Sequence, residues 1–185
     1  MGLKEIQKSF VELAVDPISR TKAFSGLEKK DSTYAEFNEK EILEQANALV
    51  NKRLGVTKKI LPFTRYHLGK DFDMHFRSFA KGEFEPKGVH RHKIDAIKFS
   101  KHLKALTIKR VIPRFIIDIS AFEVTPIKMW TMKKKFLFQF HLYNPRKFMR
   151  KQKSKFIIPI PTVMLWREAT GKKRGYFWRE FSLWI

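Results

Sequence analysis

The sequence predicts an α+β protein, with an N-terminal helical body followed by a small C-terminal antiparallel sheet. Three observations predict it. Apolar residues recur at helical spacing from Leu3 to Phe122. After Lys133-Lys134-Lys135 the period changes to two, with Phe136, Phe138, Phe140 and Leu142 alternating with Leu137, Gln139 and His141. Turn chemistry at Asn144-Pro145 and across Ala169 to Gly175 then separates the last strands. The chain divides into a helical body over 1–130 and a basic antiparallel β region over 131–185 packed on it, or forms one continuous domain.

Leu3, Ile6, Phe10, Leu13 and Ala14 make the stripe of a first helix that ends at Asp16-Pro17. A short helical segment follows from Pro17 to Leu27, and Glu28 to Tyr34 reads as a polar loop. Asn38 caps the next helix, with Glu41 three residues on and Phe37 set to pack against Ile42. Its stripe, Ile42, Leu43, Ala46, Leu49, Val50 and Leu54, runs to about Leu54, and Val56 to Leu61 can continue it up to Pro62.

Asp71 to Ala80 sets Phe72, Phe76, Phe79 and Ala80 on one side of a helix ended by Gly82. Between Arg91 and Leu106 the face Ala96, Phe99, Leu103, Leu106 is opposed by Ile94 and Ile97. That helix is therefore surrounded, or else it offers Ile94 and Ile97 to a partner. Pro113 opens a helix to about Phe122, with Pro126 obscuring its end. Beyond the first strand, Arg146 to Lys153 reads as a short basic helix, and Phe156 to Pro161 as an edge segment at best. Thr162 to Glu168 and Tyr176 to Trp184 read as a hairpin with a basic tip.

Composition narrows the function classes. The 185 residues hold 39 Lys and Arg against 18 Asp and Glu, a net charge of +21. No cysteine is present, which removes disulfides, thiolate zinc sites and thiol catalysis. With 43% apolar residues and 18 Phe the chain buries a core and is not a disordered basic tail. No signal stretch or membrane-length apolar run occurs, so the expected compartment is the cytoplasm. The charge is uneven: Thr107 to Ile185 holds 18 basic and 4 acidic residues, a net of +14, or two-thirds of the total.

Motifs for chemistry are nearly absent. There is no phosphate-binding glycine loop, nucleophile elbow or metalloprotease His-Glu pair, and no catalytic residue or cofactor is expected. His90, His92 and His102, with His67 and His75, are imidazoles in one region, but Arg91 and Lys93 beside the pair repel a dication. His90 and His92 read instead as polar residues at a helix N-terminus.

The basic C-terminal region is the stronger signal. Lys133, Lys134, Lys135, Arg146, Lys147, Arg150, Lys151, Lys153 and Lys155 flank the first strand, and Lys172, Lys173 and Arg174 crown the hairpin. Such density attracts an acidic protein, a peptide or nucleic-acid phosphates. Tyr143, Phe148, Trp166, Tyr176 and Trp178 are candidates for stacking on unpaired bases if exposed.

The run Ala46-Asn47-Ala48-Leu49-Val50-Asn51-Lys52-Arg53-Leu54, then Leu61-Pro62-Phe63-Thr64, Leu68-Gly69, Phe76 to Gly82 and Arg91 to Phe99, resembles a bacterial helical accessory domain. That domain is found fused to, or encoded beside, multinuclear non-haem iron-dependent oxidative enzymes of the methanobactin-maturation type. The resemblance is best from about Glu39 to Leu106 and its motifs hold no catalytic group. It implies a non-catalytic accessory protein that binds a separately encoded iron-dependent oxidase, presents its peptide substrate, or both. By the same analogy the C-terminal sheet offers an edge to an extended peptide. Within the matched stretch Arg91, His92 and Asp95 are the polar positions of interest. Arg91 or His92 can meet a partner carboxylate, and Asp95 either faces the helix dipole or pairs with a nearby cation to fix the helix. The alternative function is sequence-tolerant nucleic-acid binding by the basic C-terminal region.

Overall fold

A computed structural model of the chain describes residues 3–24, 38–83, 86, 88–149, 158–169 and 175–182. Among them are helices α1 (Leu3–Val15), α2 (Pro17–Phe24), α3 (Glu39–Ile60), α4 (Pro62–Leu68), α5 (Asp71–Gly82), α6 (Arg91–Ile108) and α7 (Phe115–Thr131). Strand β1 (Phe136–His141), helix α8 (Pro145–Met149) and strands β2 (Thr162–Glu168) and β3 (Tyr176–Ser182) follow. The expected α+β architecture is therefore the observed one. No helix among the described residues is long and apolar enough to cross a membrane.

Helix α3 takes the longer of the two extents the sequence allows, α7 outruns its expected end near Phe122, and α4 is unexpected. Helix α3 passes through Gly55 to Ile60, because the exposed Gly55 costs only about 1 kcal/mol while Leu54, Thr57 and the following Leu61 are buried. Helix α7 passes through Pro126 to Thr131. The one donor that Pro126 lacks is outweighed by burial of Val124, Thr125 and Met129 on either side. Helix α4 has no counterpart in the sequence reading. Its first donors, Phe63 N–H and Thr64 N–H, and the Thr64 hydroxyl are all taken by the Glu123 carboxylate, at 2.7, 3.0 and 2.6 Å. The cap lies 59 to 60 residues away in sequence, so only Pro62 at the first position and Gly69 at the end mark the helix locally.

The main core is aromatic. Phe72, Phe76 and Phe99 are fully buried, and Phe99 packs against Phe72, Phe76 and Phe79 with ring centroids 5.1 to 5.5 Å apart. Ile97 packs against this cluster and Ile94 is half-buried, so α6 is the surrounded helix of the two alternatives. A second cluster joins Phe122 and Met129 of α7 to Met164 and Trp166 of β2, and this seats the sheet on the helices.

Helices α6 and α7 end alike. After α7 the Lys133 N–H donates to Trp130 O and the Lys134 N–H to Met129 O, and after α6 the Arg110 N–H donates to Thr107 O and the Val111 N–H to Leu106 O. Each is a Schellman turn whose left-handed residue is not glycine: Lys133 has φ 51° and Arg110 φ 59°. The α7 turn directs the chain into β1.

The sheet is antiparallel in the order β1-β2-β3. Its alternation has the opposite hand to the simplest hydrophobic reading. Leu137, Gln139 and His141 face the helices, while Phe136, Phe138 and Phe140 point away and are 63, 72 and 72% exposed. Polar anchors on α7 fix this phase. The Thr125 hydroxyl donates to Gln139 Oε1 at 2.9 Å, and His141 Nδ1 lies 3.3 Å from Asp118 Oδ1. Asp118 also accepts the Tyr143 N–H at 2.8 Å. Slipping β1 by one residue would strand Thr125 and Asp118 among phenyl rings.

Candidate binding surface

The register places nine side chains on the outer face of the sheet. Across the strands they form three rows: Phe136, Arg167 and Phe177; then Phe138, Leu165 and Arg179; then Phe140, Val163 and Phe181. Five are phenylalanines, two are arginines and none is acidic. Phe177 and Phe181 are 57 and 54% exposed, so both outer strands carry unburied rings. Each such ring forgoes about 1.5–3 kcal/mol of burial. Contiguous apolar surface of this kind marks an interaction site.

At the β1 entrance, between the helices and the helix-facing side of the sheet's end, lies a cationic hollow of about 540 Å³, lined by His90, Trp130, Thr131, Lys133, Lys134, Lys135, Glu168 and Tyr176. Lys93 Nζ lies 4.1 Å from the Trp130 ring centroid, and the His90 ring meets the same indole edge-on at 4.3 Å. The Glu168 N–H donates to Lys135 O at 2.8 Å, which ties the lysine run to the end of β2. Burial raises the Tyr176 hydroxyl pKa, and Glu168 adds to the rise. On α7, burial lowers the Lys128 pKa, and Lys101 and Lys104 of α6 lower it further, so positive charge is crowded on that side of the helix pair.

Of the sequence-chosen cations, Lys133, Lys134 and Lys135 are brought together at this hollow and are exposed. Arg146 and Lys147 lie on α8, beyond the other end of β1. Arg146 sits 3.7 Å from Glu180 Oε1 with its guanidinium 5.8 Å from the Trp178 ring, and Lys147 is exposed. Arg150, Lys151, Lys153, Lys155, Lys172, Lys173 and Arg174 lie outside the described residues.

The three positions from the family motif separate. Asp95 is fully buried and forms a two-pronged pair with Arg53, Nε to Oδ2 at 2.9 Å and Nη2 to Oδ1 at 2.8 Å. It is a helix-fixing residue, as one of its two readings had it, and is not open to a partner. Arg91 and His92 are half-buried at the start of α6, and His92 Nδ1 is buried without a hydrogen-bond partner. No group of three or more histidines and carboxylates among the described residues is placed to hold a metal ion.

The proposed stacking residues also need correction. Trp166 and Phe148 are buried, and Trp178 packs against Phe122 and Trp166, because all three lie on the inner side of the sheet or under α8. Tyr143 and Tyr176 are half-buried. Among the described residues the exposed phenyl and indole rings are the phenylalanines of β1 and β3 together with Trp130 of α7. The sequence does hold a signal for this: Arg167 and Arg179 share the phase of those phenylalanines, and an arginine-bearing phase belongs outside.

A second hollow, of about 220 Å³, lies between α1, α2, α3 and α5 and is lined by Arg20, Arg53, Arg77 and Lys81 among mainly apolar residues. Three of its four cations are engaged within the protein, the fourth being the exposed Lys81. Arg53 is held by Asp95 and Glu83 O, Arg20 Nη1 donates to Leu13 O and Ala14 O, and Arg77 donates to Asn51. The C-terminal surface is therefore the better candidate.

Residues 27–105 match a family described as SCO6045-like, C-terminal domain. The match covers less than half of the chain and coincides with the stretch from Glu39 to Leu106 that carries the motifs; its description names neither an enzyme nor a metal. No curated protein and no solved structure matches the chain.

Proposed function

We propose that the chain is a non-catalytic binding protein, an accessory partner of a peptide-modifying iron-dependent oxidase that binds the enzyme, presents its peptide substrate, or both. The observation that carries this reading is the cationic hollow of Lys133, Lys134 and Lys135 at the entrance to β1, an edge strand of the sheet. An extended peptide can pair with such an edge through its backbone while its carboxylates meet the lysines. The iron-dependent partner comes from the resemblance of Glu39 to Leu106, and is an analogy of fold.

The test is affinity capture from the native host with mass-spectrometric identification, using the wild-type chain and the combined variant Lys133→Glu, Lys134→Glu, Lys135→Glu. The expected result is recovery of an iron-dependent oxidase or its acidic peptide substrate with the wild type and loss of it with the variant. Recovery of neither, or equal recovery with both chains, would sink the proposal.

A further inference from the structure

We propose that the outer face of the β1-β2-β3 sheet binds single-stranded nucleic acid, stacking bases on Phe136, Phe138, Phe140, Phe177 and Phe181 and taking phosphates on Arg167 and Arg179. This is a function separate from peptide presentation at the β1 edge, and it rests on different residues.

Spacing and chemistry both favour this occupant. Rings two residues apart on one strand recur about every 7 Å, and the two ring-bearing strands, with β2 between them, lie about 10 Å apart, so the five rings form an open platform instead of a pocket. Phenylalanine has no hydrogen-bonding group and offers a partner only its ring and apolar area. A base supplies a matching π-face at every position whatever its identity, which is how sequence-tolerant single-strand binders work. Duplex bases are already stacked and cannot reach the rings.

Charge selects the same partner. Arg167 lies between Phe136 and Phe177 across the strands, and Arg179 shares a row with Phe138 and Leu165, so guanidiniums sit among the rings. The face has no carboxylate of its own: Glu180 is on the inner phase, paired with Met164 and beside Arg146. Lys133, Lys134 and Lys135 extend the positive surface past β1, in a chain of net charge +21. A second copy of the chain is a poor occupant, because face-to-face packing would bring four arginines together with no acid between them.

The test is fluorescence anisotropy with labelled oligo-dT and oligo-rU of about 15 nucleotides, a duplex of equal length, and a poly-glutamate peptide, at about 50 and about 200 mM salt. The wild type is expected to bind both single strands at low salt, more tightly than the duplex, and to weaken steeply at high salt. Phe138→Ala and Phe177→Ala are each expected to lower single-strand affinity roughly tenfold. Both should leave the urea midpoint close to wild type, because the rings are exposed. Arg167→Gln with Arg179→Gln should reduce both affinity and salt dependence.

Absence of binding at low salt overturns the proposal. So does wild-type affinity in both phenylalanine variants, which would mean charge-only binding elsewhere. Tighter binding of poly-glutamate with the same phenylalanine dependence would assign the face to an acidic protein, and a wild-type dimer dissociated by Phe138→Ala would assign it to a second copy. Each of these also overturns the proposal. None of these outcomes bears on capture of the oxidase through the lysine run, so the two readings fail separately.

Discussion

Arg53 of α3 and Asp95 of α6 form a buried ion pair across 42 residues of sequence. Arg53 also donates to Glu83 O at 3.2 Å and holds its guanidinium 5.9 Å from the ring centroids of Phe76 and Phe79. One side chain thus joins α3, the end of α5, and α6 at the edge of the aromatic core.

Asp95→Ala removes one partner and leaves a buried guanidinium uncompensated. The expected loss is about 3–5 kcal/mol in urea unfolding. The double variant Arg53→Met, Asp95→Leu is expected to recover much of it, since an apolar pair of similar volume avoids desolvating two charges. A double variant no better than Asp95→Ala would show that the pair does more than balance charge.

Glu123 gives a pH dependence. Burial raises its carboxyl pKa above the ordinary 4.5, although three hydrogen bonds from Phe63 and Thr64 pull it down. The folded protein then holds a proton that the unfolded chain releases. The associated stability is complete below about pH 4.5 and is lost as pH rises through the folded pKa. Glu123→Gln does not titrate, so the stability of wild type minus variant is expected to fall as pH rises above the ordinary carboxyl range and to level off once the folded carboxyl has ionised. Chemical denaturation at several pH values checks this, and a difference that grows with pH would contradict it.

Gly69 closes α4 with φ 59° and ψ −127°, a conformation nearly restricted to glycine. A Cβ there would meet no atom within 4 Å. Gly69→Ala is therefore expected to cost roughly 1–3 kcal/mol through the backbone alone, read as a lowered melting temperature. An unchanged melt would mean that the turn relaxes freely.

Lys133 separates binding from folding. Its left-handed backbone suits glycine better, so Lys133→Gly is expected to raise stability by up to about 1 kcal/mol while removing one cation from the hollow. Partner capture should weaken as the protein becomes more stable. A variant that lost stability and kept full capture would contradict both halves of the prediction.

Much of the helical body was legible because its stripes are local. Asn38 caps α3 as read, accepting the Lys40 N–H at 3.0 Å, and the α5 stripe of Phe72, Phe76 and Phe79 is the core. What escaped was set by distant partners. Helix α4 depends on Glu123, and the inward phase of β1 depends on Thr125 and Asp118. In β1 the period of two was plain, but the choice of face followed polar anchors on α7, against the larger apolar area of the other phase. At the candidate surface the lysine run was visible as charge density. The phenylalanine platform was not, because rings in a strand ordinarily turn inward.

The outward phenylalanines also bear on solubility. Two edge strands carrying bare rings are a template for sheet-to-sheet aggregation, and what stands against it is mutual repulsion between copies of a cationic molecule. That repulsion is screened by salt. The free protein is therefore expected to remain dispersed at low ionic strength and to self-associate as salt is added, the reverse of a protein whose copies are held together by ion pairs.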